Sequence, residues 1–109
     1  MELTINNQPF EIIEQGDGGN VYLNGSDGEI CIGLTNCLKN IIYLHKDLPP
    51  QKKKQTLIHE LTHAYIYAYG FSTVEHFNHE LVCEFVEAYA RAIIRAADEY
   101  FRKTNVKGA

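Results

Sequence analysis

The strand-like pattern of this chain stops at Pro49-Pro50, and beyond it apolar residues recur at helical spacing. Proline is tolerated in a first helical turn, where its missing N–H would be unpaired anyway, so the pair marks the entry to a helical half. Before it, residues 2–5 and 10–14 flank the turn-forming stretch Asn6-Asn7-Gln8-Pro9, which predicts an opening hairpin. A glycine-rich loop at residues 16–19 follows. Residues 21–23, 29–34 and 40–44 read as three further short strands, separated by a turn at 24–28 and a less regular connection near 36–39.

After the prolines, Leu57, Leu61, Ala64, Tyr65 and Ala68 form one apolar stripe of a helix over about residues 51–69, and Gly70 is its expected stop. A second helix is predicted over about 78–103, with Asn78 as N-cap and Leu81, Val82, Phe85, Tyr89, Ile93, Ala96 and Tyr100 on its apolar face. Strands first and helices second imply an α+β domain. Its small, largely antiparallel sheet, within about residues 2–44, is covered on one face by two packed helices. With 109 residues, the chain 1–109 has room for one modest core.

The first helix carries His59-Glu60-Leu61-Thr62-His63 at its middle. Residues four apart lie above one another on a helix, so His59 and His63 can offer two imidazole nitrogens to one metal ion. Glu60 then stands beside that ion, where a carboxylate serves as general base toward water. The competing explanation, two imidazoles four apart by chance, is weakened by the intervening glutamate and the apolar flanks.

A catalytic zinc takes three protein ligands and keeps an open position, with nitrogen or oxygen donors at about 2.0–2.2 Å. The longer motif that adds a third histidine downstream is absent, because Ile66 and Tyr69 occupy its glycine and histidine positions. Glu75, Glu80, Glu84 and Glu87, with His76 and His79, are the acidic and imidazole candidates nearby. Glu80 falls in the first turn of the second helix, where the helix dipole favours a carboxylate, and is the first choice. Glu84, one turn later, suits an acceptor for the free N–H of a ligand imidazole, and the two roles can be exchanged. Against both, Glu80, Glu84, Glu87, Arg91 and Arg95 also read as an ordinary solvated stripe. His76, His79, Tyr65, Tyr67 and Tyr69 are possible oxyanion donors, none of them assigned.

A formal net charge of -4, with one basic run at Lys52-Lys53-Lys54, argues against direct nucleic-acid binding; the run reads as solvated first turns of a helix. No stretch is long and apolar enough for a bilayer, and residues 1–12 lack the features of a signal peptide. Cys31, Cys37 and Cys83 match no zinc-ribbon or disulfide spacing and are expected to be buried or half-buried free thiols. A cytoplasmic protein is the expectation.

The segments TLIHELTHAYIYAYGF and FNHELVCEFVEAYARAII, residues 56–71 and 77–94, resemble the ImmA/IrrE family of metallo-endopeptidases, particularly its short forms from phages and other mobile elements. The likeness spans roughly residues 28–94 and is most specific at the HELTH run and at 80–85. It implies a minimal zincin-like domain of gluzincin type, with Zn²⁺ held by His59, His63 and Glu80 and with Glu60 as the base. Better-known members carry a Glu-Ala-Asn segment, which becomes Glu80-Leu81-Val82 or Glu84-Phe85-Val86 here, so Glu84 stands as the alternative ligand. The resemblance also implies that the strand at 40–44 is the sheet edge beside the motif helix, to which an extended substrate would add antiparallel. The substrate would be a protein, such as a separate transcriptional repressor. The competing function is a catalytically weak or inactive module of the same fold that binds a regulator without cutting it.

Overall fold

Asn6 and Asn7 both hold positive φ, 49° and 62°, the left-handed conformation that a two-residue hairpin turn requires and that asparagine tolerates. They join β1 (Glu2–Ile5) to β2 (Gln8–Gln15), with Ile5 opposite Gln8. The turn is tighter than the four residues expected, since Gln8 and Pro9 already belong to β2. The computed structural model describes residues 1–16, 23–24, 30–71 and 79–104, with 23–24, 30–31 and 79–80 as backbone only.

On its other side β2 pairs with β6 (Ile41–His45), and this pairing is parallel, from Glu11 opposite Ile41 to Gln15 opposite His45. β5 (Gly33–Asn36) pairs antiparallel with β6, so the sheet runs β1-β2-β6-β5 and is mixed. A parallel pair needs a long connection, and residues 16–40 supply it. That connection contains a separate antiparallel ribbon of β3 (Leu23–Asn24) and β4 (Ile30–Cys31). The single strand expected over 29–34 is broken at Ile32 into β4 and β5, and the residues expected at 17–22 and 25–29 lie outside those described.

One expectation is corrected here. The strand at 40–44 is not an edge, because β6 has β2 on one side and β5 on the other. The reason is a tight turn. Asn36 Oδ1 accepts the N–H groups of Leu38 and Lys39 at 3.0 and 3.1 Å, and Asn40 takes a φ of 57°, which folds β5 back along the outer side of β6. Among the described residues β5 is therefore a terminal strand, with β1 at the opposite end of the sheet.

α1 (Pro50–Ala68) begins at the second proline, and Lys53 N–H donates to Pro49 O at 2.8 Å. It stops where expected: Gly70 takes a φ of 81°. The carbonyl of Ala68, one of those that a helix leaves unpaired at its end, accepts Asn6 Nδ2–H at 2.8 Å, so the hairpin turn caps the helix. All five predicted stripe residues of α1 are buried, against Ile5, Phe10, Ile12, Ile42 and Leu44 of the sheet. Each fully buried leucine or isoleucine stabilises the fold by about 1.5–3 kcal/mol.

α2 (His79–Thr104) packs on α1 through Phe85, Ile93, Ala97 and Tyr100. Tyr69 stacks on Tyr89 with ring centroids 4.4 Å apart, and Phe71 meets Phe85 edge-on at 5.3 Å, which docks the early turns of α2 against the end of α1. Val82, assigned to the apolar face, is 42% exposed, while Ala97 is fully buried: the contact stripe passes through 85, 93, 97 and 100 and leaves 82 aside. Asn78, the expected N-cap, lies outside the described residues. Glu14 ties three elements together. Its Oε1 accepts Lys53 Nζ–H at 2.8 Å from α1, and its Oε2 accepts the Tyr100 hydroxyl from α2. Among the described residues no helix is long and apolar enough to cross a membrane.

Candidate functional site

α1 crosses β5 at Gly33. A Cβ at that position would lie 2.6 Å from Thr56 Cγ2 and 3.0 Å from Glu60 Cγ, so the close approach of helix to strand depends on glycine. Glu60 points into this contact and is only 7% exposed. Its Oε1 lies 2.8 Å from Thr35 Oγ1, and its backbone oxygen lies 3.0 Å from the same hydroxyl. A hydroxyl has one proton, and the shorter contact is to the carboxylate. The buried Thr56 hydroxyl donates within its own helix, to Lys52 O at 2.8 Å.

His59 and His63 flank Glu60 on the exposed side of α1, with ring centroids 4.9 Å apart and planes inclined at 72°. Both line a cavity of about 380 Å³ with Glu60, Thr35, Cys37, Ile66 and Tyr67. A second cavity of about 490 Å³ shares Gly33, His59 and Glu60 with the first and continues toward Gln55 and Lys52. Together they form one cleft along α1 and the terminal strand β5. Burial pushes the Cys37 thiol up.

The site predicted from sequence is thus assembled in part. His59, Glu60 and His63 share the cleft, with the carboxylate buried and the imidazoles accessible. Glu84 and Glu87 are exposed on α2. Glu80 lies in the first turn of α2 and its side chain is outside the described residues, as are the side chain of His79 and the whole of Glu75 and His76. Among the described residues no three His, Cys, Asp or Glu side chains gather closely enough to hold a metal. Of the tyrosines, Tyr67 lines the cleft, whereas Tyr65 and Tyr69 pack with Tyr89. Cys83 is an exposed thiol rather than a half-buried one.

Gly33, Thr35 and Lys52 line the cleft although the motif alone gives them no role there. Gly33 had a usable signal, a glycine inside a strand pattern, which marks a close backbone approach. Thr35 had none, since its partner Glu60 is 25 residues away.

The cleft lies within a stretch similar to a known family. The M78 peptidase model, described as the IrrE N-terminal-like domain, matches residues 14–97, from the end of β2 through most of α2. No curated protein and no solved structure matches the chain. The family match covers most of the chain and includes both walls of the cleft, and on that ground the chain belongs to the M78, IrrE N-terminal-like, peptidase family.

Proposed function

We propose that this chain is a zinc-dependent endopeptidase in which His59, His63 and Glu80 hold the cation and Glu60 is the general base. The observation that carries the reading is two accessible imidazoles 4.9 Å apart and a buried carboxylate sharing one cleft beside a terminal strand. Membership of a peptidase family supports hydrolysis of a protein substrate. The donor set supports zinc: two imidazole nitrogens and one carboxylate oxygen, with a position left open, suit that ion. Glu84, one turn beyond Glu80, is the competing third ligand and otherwise an acceptor for an imidazole N–H.

When bound, the cation supplies a Lewis acid that acidifies water and polarises the scissile carbonyl. The chain's own residues do the rest. Thr35 holds Glu60 Oε1, which leaves Oε2 to take the proton from the attacking water and pass it to the leaving amine. The strand that receives the substrate is β5 rather than the interior β6. An extended peptide adding antiparallel to β5 gains main-chain hydrogen bonds and lays its scissile bond over His59, Glu60 and His63. A separate regulatory protein, such as a repressor, is the substrate class that the family resemblance suggests.

Zinc content measured on the purified protein tests the reading. One zinc per chain in the wild type and its loss in His59→Ala are expected; a wild type that takes up no zinc contradicts it.

A further inference from the structure

The three lysines at the start of α1 have separate surroundings. Lys53 Nζ is bound to Glu14 at 2.8 Å, and Lys54 Nζ to Asp98 at 2.6 Å. Lys52 is exposed, has no ion pair among the described residues, and lines the end of the cleft with Gln55 and Ile32. Among the described residues, the opposite end, at Ile66 and Tyr67, carries no charged side chain. Among the described residues the charge of the cleft is therefore one-sided, with a solvated cation at the Lys52 end.

We infer that Lys52 is a specificity-determining residue that selects an acidic side chain in the substrate. The inference rests on the peptidase reading. Lys52 precedes His59 by seven positions, which is about 10 Å along the helix axis at 1.5 Å per residue. An extended peptide rises about 3.3 Å per residue, so the selected side chain sits about three residues from the scissile bond. β5 runs in the same sense as α1, because Gly33 lies by Thr56 while Thr35 and Cys37 lie toward His63 and Tyr67. A substrate antiparallel to β5 therefore reaches Lys52 with its C-terminal part. Asp or Glu about three residues beyond the cleaved bond satisfies the cation, whereas Lys or Arg there meets a like charge.

A synthetic peptide library, randomised on both sides of the cleavage position and incubated with the zinc-loaded protein, tests this. Wild type should favour Asp or Glu over Asn or Gln at that position by about three- to fivefold, the size expected of a solvent-exposed ion pair. Lys52→Gln should flatten the preference and Lys52→Glu should turn it toward Lys and Arg, with zinc content unchanged in both. An acid at the first helical turn suits the helix dipole, so Lys52→Glu is expected to fold. Cleavage without acidic preference, acidic preference only on the N-terminal side, or no change in Lys52→Glu overturns the inference and leaves the peptidase reading standing. A library left uncut by zinc-loaded wild type contradicts the peptidase reading instead. In that case the peptides retained on immobilised protein decide the matter: acidic enrichment that inverts in Lys52→Glu supports the role of Lys52, and identical retention overturns it.

Discussion

Thr35 Oγ1 lies 2.8 Å from Glu60 Oε1, so the terminal strand of the sheet holds the carboxylate of the motif helix in place. Strand and helix are thereby parts of one device: β5 forms a wall of the cleft and also orients the proposed base.

Thr35→Val keeps the shape and removes the donor. Leaving a buried acceptor unpaired should lower stability by about 1–3 kcal/mol. Loss of orientation should reduce kcat by about ten- to a hundredfold. Zinc content should not change. Denaturant midpoints, single-turnover rates and metal analysis on the same samples check this, and an unaltered kcat would show that the hydroxyl does not position Glu60.

Gly33→Ala should separate β5 from α1, since the added carbon meets Thr56 Cγ2 at 2.6 Å and Glu60 Cγ at 3.0 Å. Overpacking of this kind costs about 1–3 kcal/mol. Thr56→Ser removes the nearer methyl and should recover part of the loss. A double-mutant cycle in thermal unfolding measures the coupling, and strict additivity would mean that the contact is relaxed elsewhere.

How much of this was legible in the sequence follows from the range of each interaction. The helical stripe Leu57, Leu61, Ala64, Tyr65 and Ala68, the Asn6-Asn7 turn and the Gly70 stop are local, and each lies where its local chemistry puts it. The HELTH run is local too, and family membership was readable from the residues around it. The order of strands was not. That β6 pairs in parallel with β2, and that β5 rather than β6 ends the sheet, depends on how residues 16–40 carry the chain back, which leaves no periodic signature. Thr35 and Lys52 were hidden for the same reason: their significance comes from partners or neighbours across the cleft rather than from sequence spacing.

Alkaline pH should expose the Tyr100 clamp. Burial and its bond to Glu14 push the Tyr100 hydroxyl well above the usual tyrosine range, and burial together with Tyr69 raises Tyr65. A folded pKa above the unfolded value of about 10 contributes stability that is complete below pH 10 and is lost as pH rises toward the folded value. Unfolding free energy should therefore be level, as far as these groups are concerned, up to about pH 9.5 and fall above it. Tyr100→Phe should lower the level part by about 1–3 kcal/mol through loss of a hydrogen bond to a charged partner. It should also reduce the alkaline slope, leaving the part due to Tyr65. Chemical denaturation at a series of pH values checks this, and an unchanged slope in the variant would contradict the clamp.

Glu80 and Glu84 can be separated by metal affinity. Glu80→Gln removes the proposed third ligand and should abolish stoichiometric zinc at neutral pH. Glu84→Gln removes an outer acceptor and should weaken binding by about ten- to a hundredfold. Competition with a chelating dye measures both, and the reverse order of effects would exchange the two roles.

The central claim is that Glu60 does chemistry at a metal held by its neighbours His59 and His63. Its most direct test is Glu60→Gln, measured for zinc content and for hydrolysis of a protein or peptide that the wild type cleaves. The account predicts one zinc per chain in both proteins, with hydrolysis in the variant reduced by about a hundredfold or more. Hydrolysis by Glu60→Gln at the wild-type rate would contradict it.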